Sequence, residues 1–477
     1  MLCVDDDQRL LPRVVPVNAH PLEPRRLGAS DHPPEAQRRD GDRAHQKAGD
    51  QPCGWRPLRN FLRAQATIEN LVDFGDHQIF EEVTTYPAIL TMKRGAAPKD
   101  HQISFWKIED MPKSNFRAAF EEFRSDYPQN VLTEESWEFE DPALYALRRK
   151  VTKGHKTLKQ IYGSPACGIK TGYNDAFIID SITREELISK DQTSSDIIFP
   201  YVVGSDIQKW RLETQSKYII NATKGRTKIE NFPAILEYLT PHKGRLESRA
   251  TKQQWFELQQ DQFKYQELFR SHKLIFPDIS QGPKFLMHDA EVLLDMTAFA
   301  INGDPFLQSL LNSKIYWFIL LGSTNPLRGG VWRLRLKSQY VEPLPIPKSN
   351  DAQKTELASL AEATQTAAEE RYKLQENLCR RIPDLCPDDR EPKLTTKLKE
   401  WWNLPDFKAF QAEVKKCFKS EIPLRDRTEW EDWMNKDRAE INRLSAQIRG
   451  HEDAINTIVY ELFGLNDEEI KLLEANI

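Results

Sequence analysis

Residues 167–180 read Cys-Gly-Ile-Lys-Thr-Gly-Tyr-Asn-Asp-Ala-Phe-Ile-Ile-Asp, a glycine-bounded polar turn feeding an apolar strand. Gly168 and Gly172 permit positive φ or a close approach of neighbouring backbone, which residues with a Cβ resist. Lys170, Thr171 and Asn174 put one cation and two hydrogen-bonding groups on the loop. On these residues alone the turn is either an ordinary polar hairpin or a loop that touches a ligand.

Around this turn, residues 157–347 carry short apolar runs, among them AFIID, IIFPYVVG, KYIIN and KLIFPDIS, punctuated by Gly, Pro, Asn and Asp. That pattern predicts a mixed α/β domain with several short strands. Residues 348–477 are expected to be helical. From 355 to 382 apolar residues recur at three-to-four spacing: Leu357, Leu360, Ala361, Ala367, Ala368, Leu374 and Leu378. Thr364 interrupts the stripe, and the charged opposite face suits a bundle or coiled-coil partner. Gly464 closes a later helix, and Asn466 opens the last one.

Upstream, regular structure begins near Leu58. Leu58, Phe61 and Leu62 have helical spacing, and Ile68 to Phe74 and Ala88 to Met92 are strand-like, with a short helix expected between them. Alternating helix and strand point to the end of a doubly wound α/β sheet. Residues 58–95 are too few for a domain and are taken as a remnant of such a sheet. Residues 96–156 read as a connector with strand pieces, Ile103 to Ile108 among them, and a helix from Pro142 to Lys150. Residues 1–57 hold eight prolines and eight arginines with one aromatic, Trp55, and no hydrophobic period. That stretch is expected to be irregular or disordered.

The bulk properties narrow the function. A chain of 477 residues accommodates two or three domains. Its net charge of −5 means that any nucleic-acid site must be a local basic face. The six cysteines, at 3, 53, 167, 379, 386 and 417, form no CxxC pair and no zinc spacing. Reduced thiols in a cytoplasmic protein without a metal site are expected. No apolar run is long enough to span a membrane, and the start MLCVDDDQRLLP has no signal-peptide architecture.

GIKTGYNDAFIID resembles the opening motif of the TaqI-like C-terminal specificity domain, the target-recognition domain of certain adenine-specific DNA methyltransferases and of type IIG restriction–modification enzymes. Further segments follow in that family's order. IIFPYVVGSDIQKW is similar to its strand leading to an Asp-Ile-x-x-Trp element, and FPAILEYLTPHKGRLESRATKQQWFEL to its Trp-Phe-x-Leu helix. KLIFPDIS, LNSKIYWFIL and YVEPLPIPK resemble the later strand, helix and exit motif, and INTIVYELFGL the C-terminal helix. The resemblance covers about 160–347 and implies sequence-specific recognition of double-stranded DNA. It also implies that 58–95 is what remains of a methyltransferase sheet.

The residues themselves are compatible with that role. Cations alternate with aromatics at Lys209-Trp210-Arg211, at Lys217-Tyr218, and at Lys224, Arg226 and Lys228. A further set, Lys243, Arg245, Arg249 and Lys252, precedes Trp255, and its spacing does not place all four on one helical face. In Asn-Pro-Leu-Arg-Gly-Gly-Val-Trp-Arg, residues 325–333, paired glycines between Arg328 and Arg333 form either an ordinary loop or a turn that pushes an arginine into a groove. Cations neutralise phosphates, and Arg, Asn and Gln read base edges. The DNA-contact candidates are Lys170, Thr171, Asn174, Lys209, Arg211, Arg328 and Arg333.

The resemblance implies methyl transfer from S-adenosylmethionine to adenine N6 through an Asn/Asp-Pro-Pro-aromatic motif that clamps the extruded base. No such motif occurs here. Asn325-Pro326-Leu327 and Asp141-Pro142-Ala143 lack the second proline and the aromatic. No cofactor-type glycine loop or nuclease constellation is present either. The expectation is a chain without catalytic or cofactor-binding residues of its own, whose leader reflects a truncated, frameshifted or misassigned start. Upstream DNA encoding no such methylase in another frame would refute it. Two alternatives are a specificity subunit working in trans with a separate methylase, docked through 355–382, and a non-functional remnant. The predicted fold class is α/β: a residual sheet, a mixed recognition domain and a helical C-terminal region.

Overall fold

Strand and helix follow the hydrophobic pattern closely in the computed structural model, which describes residues 13–16, 55–75, 77, 79, 87–132, 137, 142–213, 216–324, 333–387 and 390–477. The chain divides into two units, 1–141 and 142–477.

In the first unit, helix α1 (Trp55–Gln65) leads into a five-stranded sheet ordered β1-β3-β2-β4-β5. Its strands are β1 (Arg13–Pro16), β2 (Ala66–Asp73), β3 (Pro87–Arg94), β4 (Gln102–Lys107) and β5 (Ser125–Pro128). β2 and β4 run parallel, and the other pairs are antiparallel. Ile68, Leu71, Ile103, Phe105 and Tyr127 share one core, while Val72, Phe74, Trp106 and Ile108 share another. Burial on both faces explains why β4 is apolar without strict alternation. Buried Gln129 completes the sheet's end, accepting from Ile68 N at 2.8 Å and donating to Ala66 O at 2.7 Å. The sheet therefore continues past residue 95, since β4 and β5 come from the expected connector. Most of the stretch between β2 and β3, where a short helix was expected, lies outside the described residues, as does nearly all of 1–57.

The second unit opens with α2 (Pro142–Thr152) and contains fourteen short strands among the described residues. They are β6 (Lys156–Thr157), β7 (Ala166–Cys167), β8 (Ile178–Asp180), β9 (Ile198–Val202), β10 (Ile207–Gln208), β11 (Arg211–Leu212) and β12 (Lys217–Ile220). After them come β13 (Lys273–Pro277), β14 (Ile279–Ser280), β15 (Leu286–His288), β16 (Leu293–Leu294), β17 (Ala298–Ile301), β18 (Leu334–Arg335) and β19 (Pro345–Ile346). Two four-stranded sheets, β16-β9-β12-β8 and β15-β13-β17-β7, are accompanied by the pairs β10-β11, β14-β18 and β19-β6.

The sheet built on β13 and β17 is the wall between two cores. Leu274, Phe276, Phe299 and Ile301 face a core shared with the helices. Ile275, Ala298 and Ala300 face a second core, shared with β8, β9 and β12. Side chains alternate across a strand, so a wall between two cores is apolar on both faces. That is the physical origin of the apolar run Leu-Ile-Phe-Pro at 274–277, which follows the buried Lys273.

Helices α3 (Pro305–Leu311) and α4 (Lys314–Ser323) pack into the first of these cores, as do α5 (Asp351–Arg381) and α6 (Arg427–Leu462). α5 and α6 are antiparallel partners. Leu357, Ala361 and Ala368 share a core with Ile448, Ile455 and Val459, whereas Leu378 packs in the same cluster as Met434 and Ile441. Thr364 stays in the buried stripe, its hydroxyl donating to Leu360 O at 2.5 Å, so the interruption is satisfied internally. Gly464, at φ +62°, follows α6, and an Asn466–Glu469 capping box opens α7 (Asp467–Glu474). The class is α/β with a helical C-terminal region, as the hydrophobic periods predict. No helix among the described residues is long and apolar enough to cross a membrane.

Candidate nucleic-acid interface

The turn at 168–174 is held by tightly apposed backbone. Gly168 N donates to Ala298 O at 3.0 Å and Ile169 N to Leu294 O at 2.6 Å. A Cβ at Gly168 would overlap the carbonyl oxygens of Asp295 and Leu294. Gly172 sits at φ +81°, where a Cβ would also lie 2.9 Å from Arg249 Cδ. Tyr201, buried beneath, donates to Asp295 Oδ2 at 2.8 Å. Burial, and then the Asp295 charge, hold that phenol protonated far above its ordinary range.

The segment 254–261 laces this turn to its neighbours. Gln260 N donates to Lys170 O at 2.9 Å, Gln259 N to Thr171 O at 3.2 Å, and Leu258 N to Ala222 O at 2.9 Å, just beyond β12. Arg249 fastens the other side, donating to Thr171 O at 3.0 Å, Leu246 O at 2.9 Å and Trp255 O at 2.8 Å. Its guanidinium pKa is lowered by burial. Buried Glu257 pins the 224–228 loop, accepting from Gly225 N at 2.6 Å and Gln254 N at 2.8 Å.

The result is a set of adjoining loops with hydrogen-bonded backbones and cationic side chains. Lys224, Arg226 and Lys228 are exposed, and Lys170 is half-buried. No ion pair engages Lys170, Lys224 or Lys228 among the described residues. Arg226 lies 3.7 Å over Phe263, beside a hollow of about 310 Å³ whose walls include Phe199, Asn221 and Arg270. Asn221 and Gln266 form a reciprocal amide pair in its floor, at 3.0 and 3.1 Å.

The seven candidates take different places. Thr171 is buried and donates to Asn174 Oδ1 at 2.5 Å, so these two and Lys170 share one turn. Lys209 pairs with Glu452 on α6 at 2.6 Å, and Arg211 stacks 4.0 Å over Tyr372 on α5 while lying 3.4 Å from Glu213. Those two cations are turned toward the helices rather than grouped with the turn. Arg333 is half-buried, ahead of β18. Arg328, with Gly329 and Gly330, lies outside the described residues. Of the 243–252 cations, Lys243 lies 5.5 Å over Trp255, Arg245 4.4 Å over Tyr173, and Arg249 is built into the turn, so they do not form one face. Arg249 and Glu257 were missing from the candidates. The one sequence signal for Glu257 is an acid set inside the apolar Trp-Phe-Glu-Leu run.

A family model described as the TaqI-like C-terminal specificity domain matches residues 199–346, the stretch that supplies β9 through β19. The chain carries a TaqI-like specificity domain. The turn at 168–174 precedes the matched stretch, yet it belongs to the specificity domain physically, because β7 pairs with β17 and β8 with β12. A second model, a domain of unknown function (DUF8810), matches 350–459, the α5–α6 pair. Among curated proteins, the chain is 22% identical to the type II methyltransferase M.XhoI of Xanthomonas vasicola over 335 residues, 64% of this chain and 58% of that one. It is 28% identical to the type II methyltransferase M.BanIII of Aneurinibacillus aneurinilyticus over 209 residues, 39% of this chain and 35% of that one. The chain thus spans less than two thirds of either relative. The type IIL restriction–modification enzyme MmeI, solved in complex with DNA, aligns at 12% identity and a TM-score of 0.42, covering 87% of this chain and 47% of that one.

Proposed function

We propose that the specificity domain reads double-stranded DNA for a type II restriction–modification methyltransferase, and that the family reaction is methyl transfer from S-adenosylmethionine to adenine N6. One observation carries the recognition reading: segment 254–261 bonds to the 170–172 turn on one side and to the end of β12 on the other. It brings Lys170 and the 224–228 cations onto adjoining loops of a domain whose matched relatives are type II methyltransferases by name. Exposed ammoniums on a fixed backbone neutralise phosphates and set the register of the duplex. Asn174 has its carbonyl oxygen occupied by Thr171, so it offers the amide N–H donors, which suits a purine N7, guanine O6 or thymine O4 acceptor. The choice of adenine rests on the motif resemblance. Since these 477 residues hold no Asn-Pro-Pro-aromatic motif, the chemistry and the cofactor are assigned to a methylase unit that carries one.

Fluorescence anisotropy with labelled duplexes tests the reading. Binding whose logarithmic affinity falls linearly with the logarithm of salt, at a slope of several phosphates, supports it. Absence of binding at low salt would sink it.

A further inference from the structure

The β10–β11 hairpin meets α5 and α6 across a seam with an excess of positive charge. Arg211 lies over Tyr372 there, with Glu213 beside it, and its Nη1 is buried with no acceptor among the described residues. From α5, Arg371 donates through Nη1 to Ser445 Oγ at 3.2 Å, while its Nε is likewise buried without an acceptor. Lys284 reaches Gln208 Oε1 at 2.7 Å. Glu452 is already shared, accepting from Lys209 at 2.6 Å and from the Trp210 indole at 2.7 Å. Arg449 stands exposed on α6, three residues before Glu452.

Five cations, Lys209, Arg211, Lys284, Arg371 and Arg449, therefore gather around two carboxylates, Glu213 and Glu452. Burial lowers the pKa of Arg371, and the nearby Arg211 and Arg449 charges lower it further against the opposing pull of Glu452. Lys284 is lowered mainly by burial, with Arg211 adding to the effect despite Glu213. Like charges held together in a half-buried seam repel, and a buried guanidinium N–H without an acceptor is costly. Both costs are relieved by one kind of ligand, a compact anion with several acceptor oxygens, which the planar guanidinium fork matches.

We infer that the seam between the β10–β11 hairpin and the α5–α6 pair binds a phosphate-class anion, held by Arg211 and Arg371 with Arg449 at its mouth. The anion is either a phosphodiester of bound DNA or a free phosphate. The inference rests on the charge and hydrogen-bond imbalance of the seam, and it stands apart from the assignment of the 170–174 turn.

Thermal unfolding of the full chain tests it, with inorganic phosphate compared against chloride at matched ionic strength. Phosphate is expected to raise the melting midpoint above chloride in a saturable way. Arg371→Met is expected to abolish that response, and Arg449→Met, at an exposed position, to weaken it. Arg443→Met, whose residue pairs with Glu440 outside the seam, keeps it in full. A second arm measures duplex binding in phosphate-free buffer. A salt slope lowered by about 1 in Arg371→Met identifies a DNA phosphate as the ligand, and an unchanged slope identifies free phosphate. Equal midpoints in phosphate and chloride would overturn the inference, as would a full phosphate response in both Arg371→Met and Arg449→Met.

Discussion

The indole N–H of Trp210 donates to Glu452 Oε1 at 2.7 Å, joining residues 242 positions apart. Trp210 is buried and sits at φ +66°, an unusual conformation for a residue with a large side chain. Lys209 shares the same carboxylate oxygen, so one side chain of α6 fixes both residues at the tip of the β10–β11 hairpin. Glu452→Ala leaves a buried indole donor unpaired and removes a charge-assisted bond. The expected loss is about 1.5–3 kcal/mol in urea unfolding. A loss below a few tenths would mean that the hairpin is held by packing alone.

Gly168→Ala tests the close approach beneath the 168–174 turn. The new methyl meets the Asp295 and Leu294 carbonyls, so a destabilisation of about 1–3 kcal/mol is expected. Gly244→Ala, in a short helix with open space around the glycine, should instead be neutral or stabilising by about 0.4–1 kcal/mol. The two variants separate steric collision from a general intolerance of alanine.

Lys224→Ala and Lys228→Ala remove exposed cations that lie outside any ion pair among the described residues. Each should weaken duplex binding to a similar extent on every sequence and lower the salt slope by about 1. Asn174→Ala should instead change discrimination between sequences, by about 1–3 kcal/mol at one base pair, and leave the slope unchanged. A changed slope for Asn174→Ala would assign it to the backbone.

His288 gives the specificity domain an acid-sensitive element. Burial, and then the neighbouring Lys273 charge, lower its pKa to about 4 from an ordinary 6.5. Between those values the unfolded chain binds a proton that the folded one refuses. Stability therefore falls as pH drops from 6.5 to 4, by roughly 2–3 kcal/mol in all from this group. His288→Gln should flatten that limb of the stability–pH curve. An identical curve for the variant would place the acid sensitivity elsewhere.

Lys273 works at the opposite end of the range. Its ammonium donates to the Ser271, His288 and Ala290 carbonyls, yet burial prevails and lowers its pKa to about 8. From pH 8 to 10.5 the folded chain gives up a proton that the unfolded chain keeps, so this group makes stability rise with pH. Lys273→Met should remove the rise, as read from urea midpoints at pH 7.5 and 10.

The sequence alone determined the elements whose signal is periodic. The 3.6-residue stripe of α5, the glycine stop and capping box around Gly464 and Asn466, and the doubly buried run KLIFP are local consequences of burial, readable without coordinates. It also marked the tight turn at 168–174, because Gly168 and Gly172 advertise backbone that a Cβ would obstruct. What it could not decide was which cations face solvent. Arg211 beside Trp210 and Arg226 after Gly225 look alike in one dimension, and only the packing of α5 and α6 separates them. Arg211 lies over Tyr372 in a seam closed by Glu452, while Arg226 lies on an exposed loop pinned by Glu257. Those partners stand tens to hundreds of residues away in the chain, and β5, formed from the polar Ser-Asp-Tyr-Pro, joins its sheet through pairing with β4 and the burial of Tyr127. Local pattern records burial, whereas the fate of a charge depends on whichever distant group the fold brings beside it.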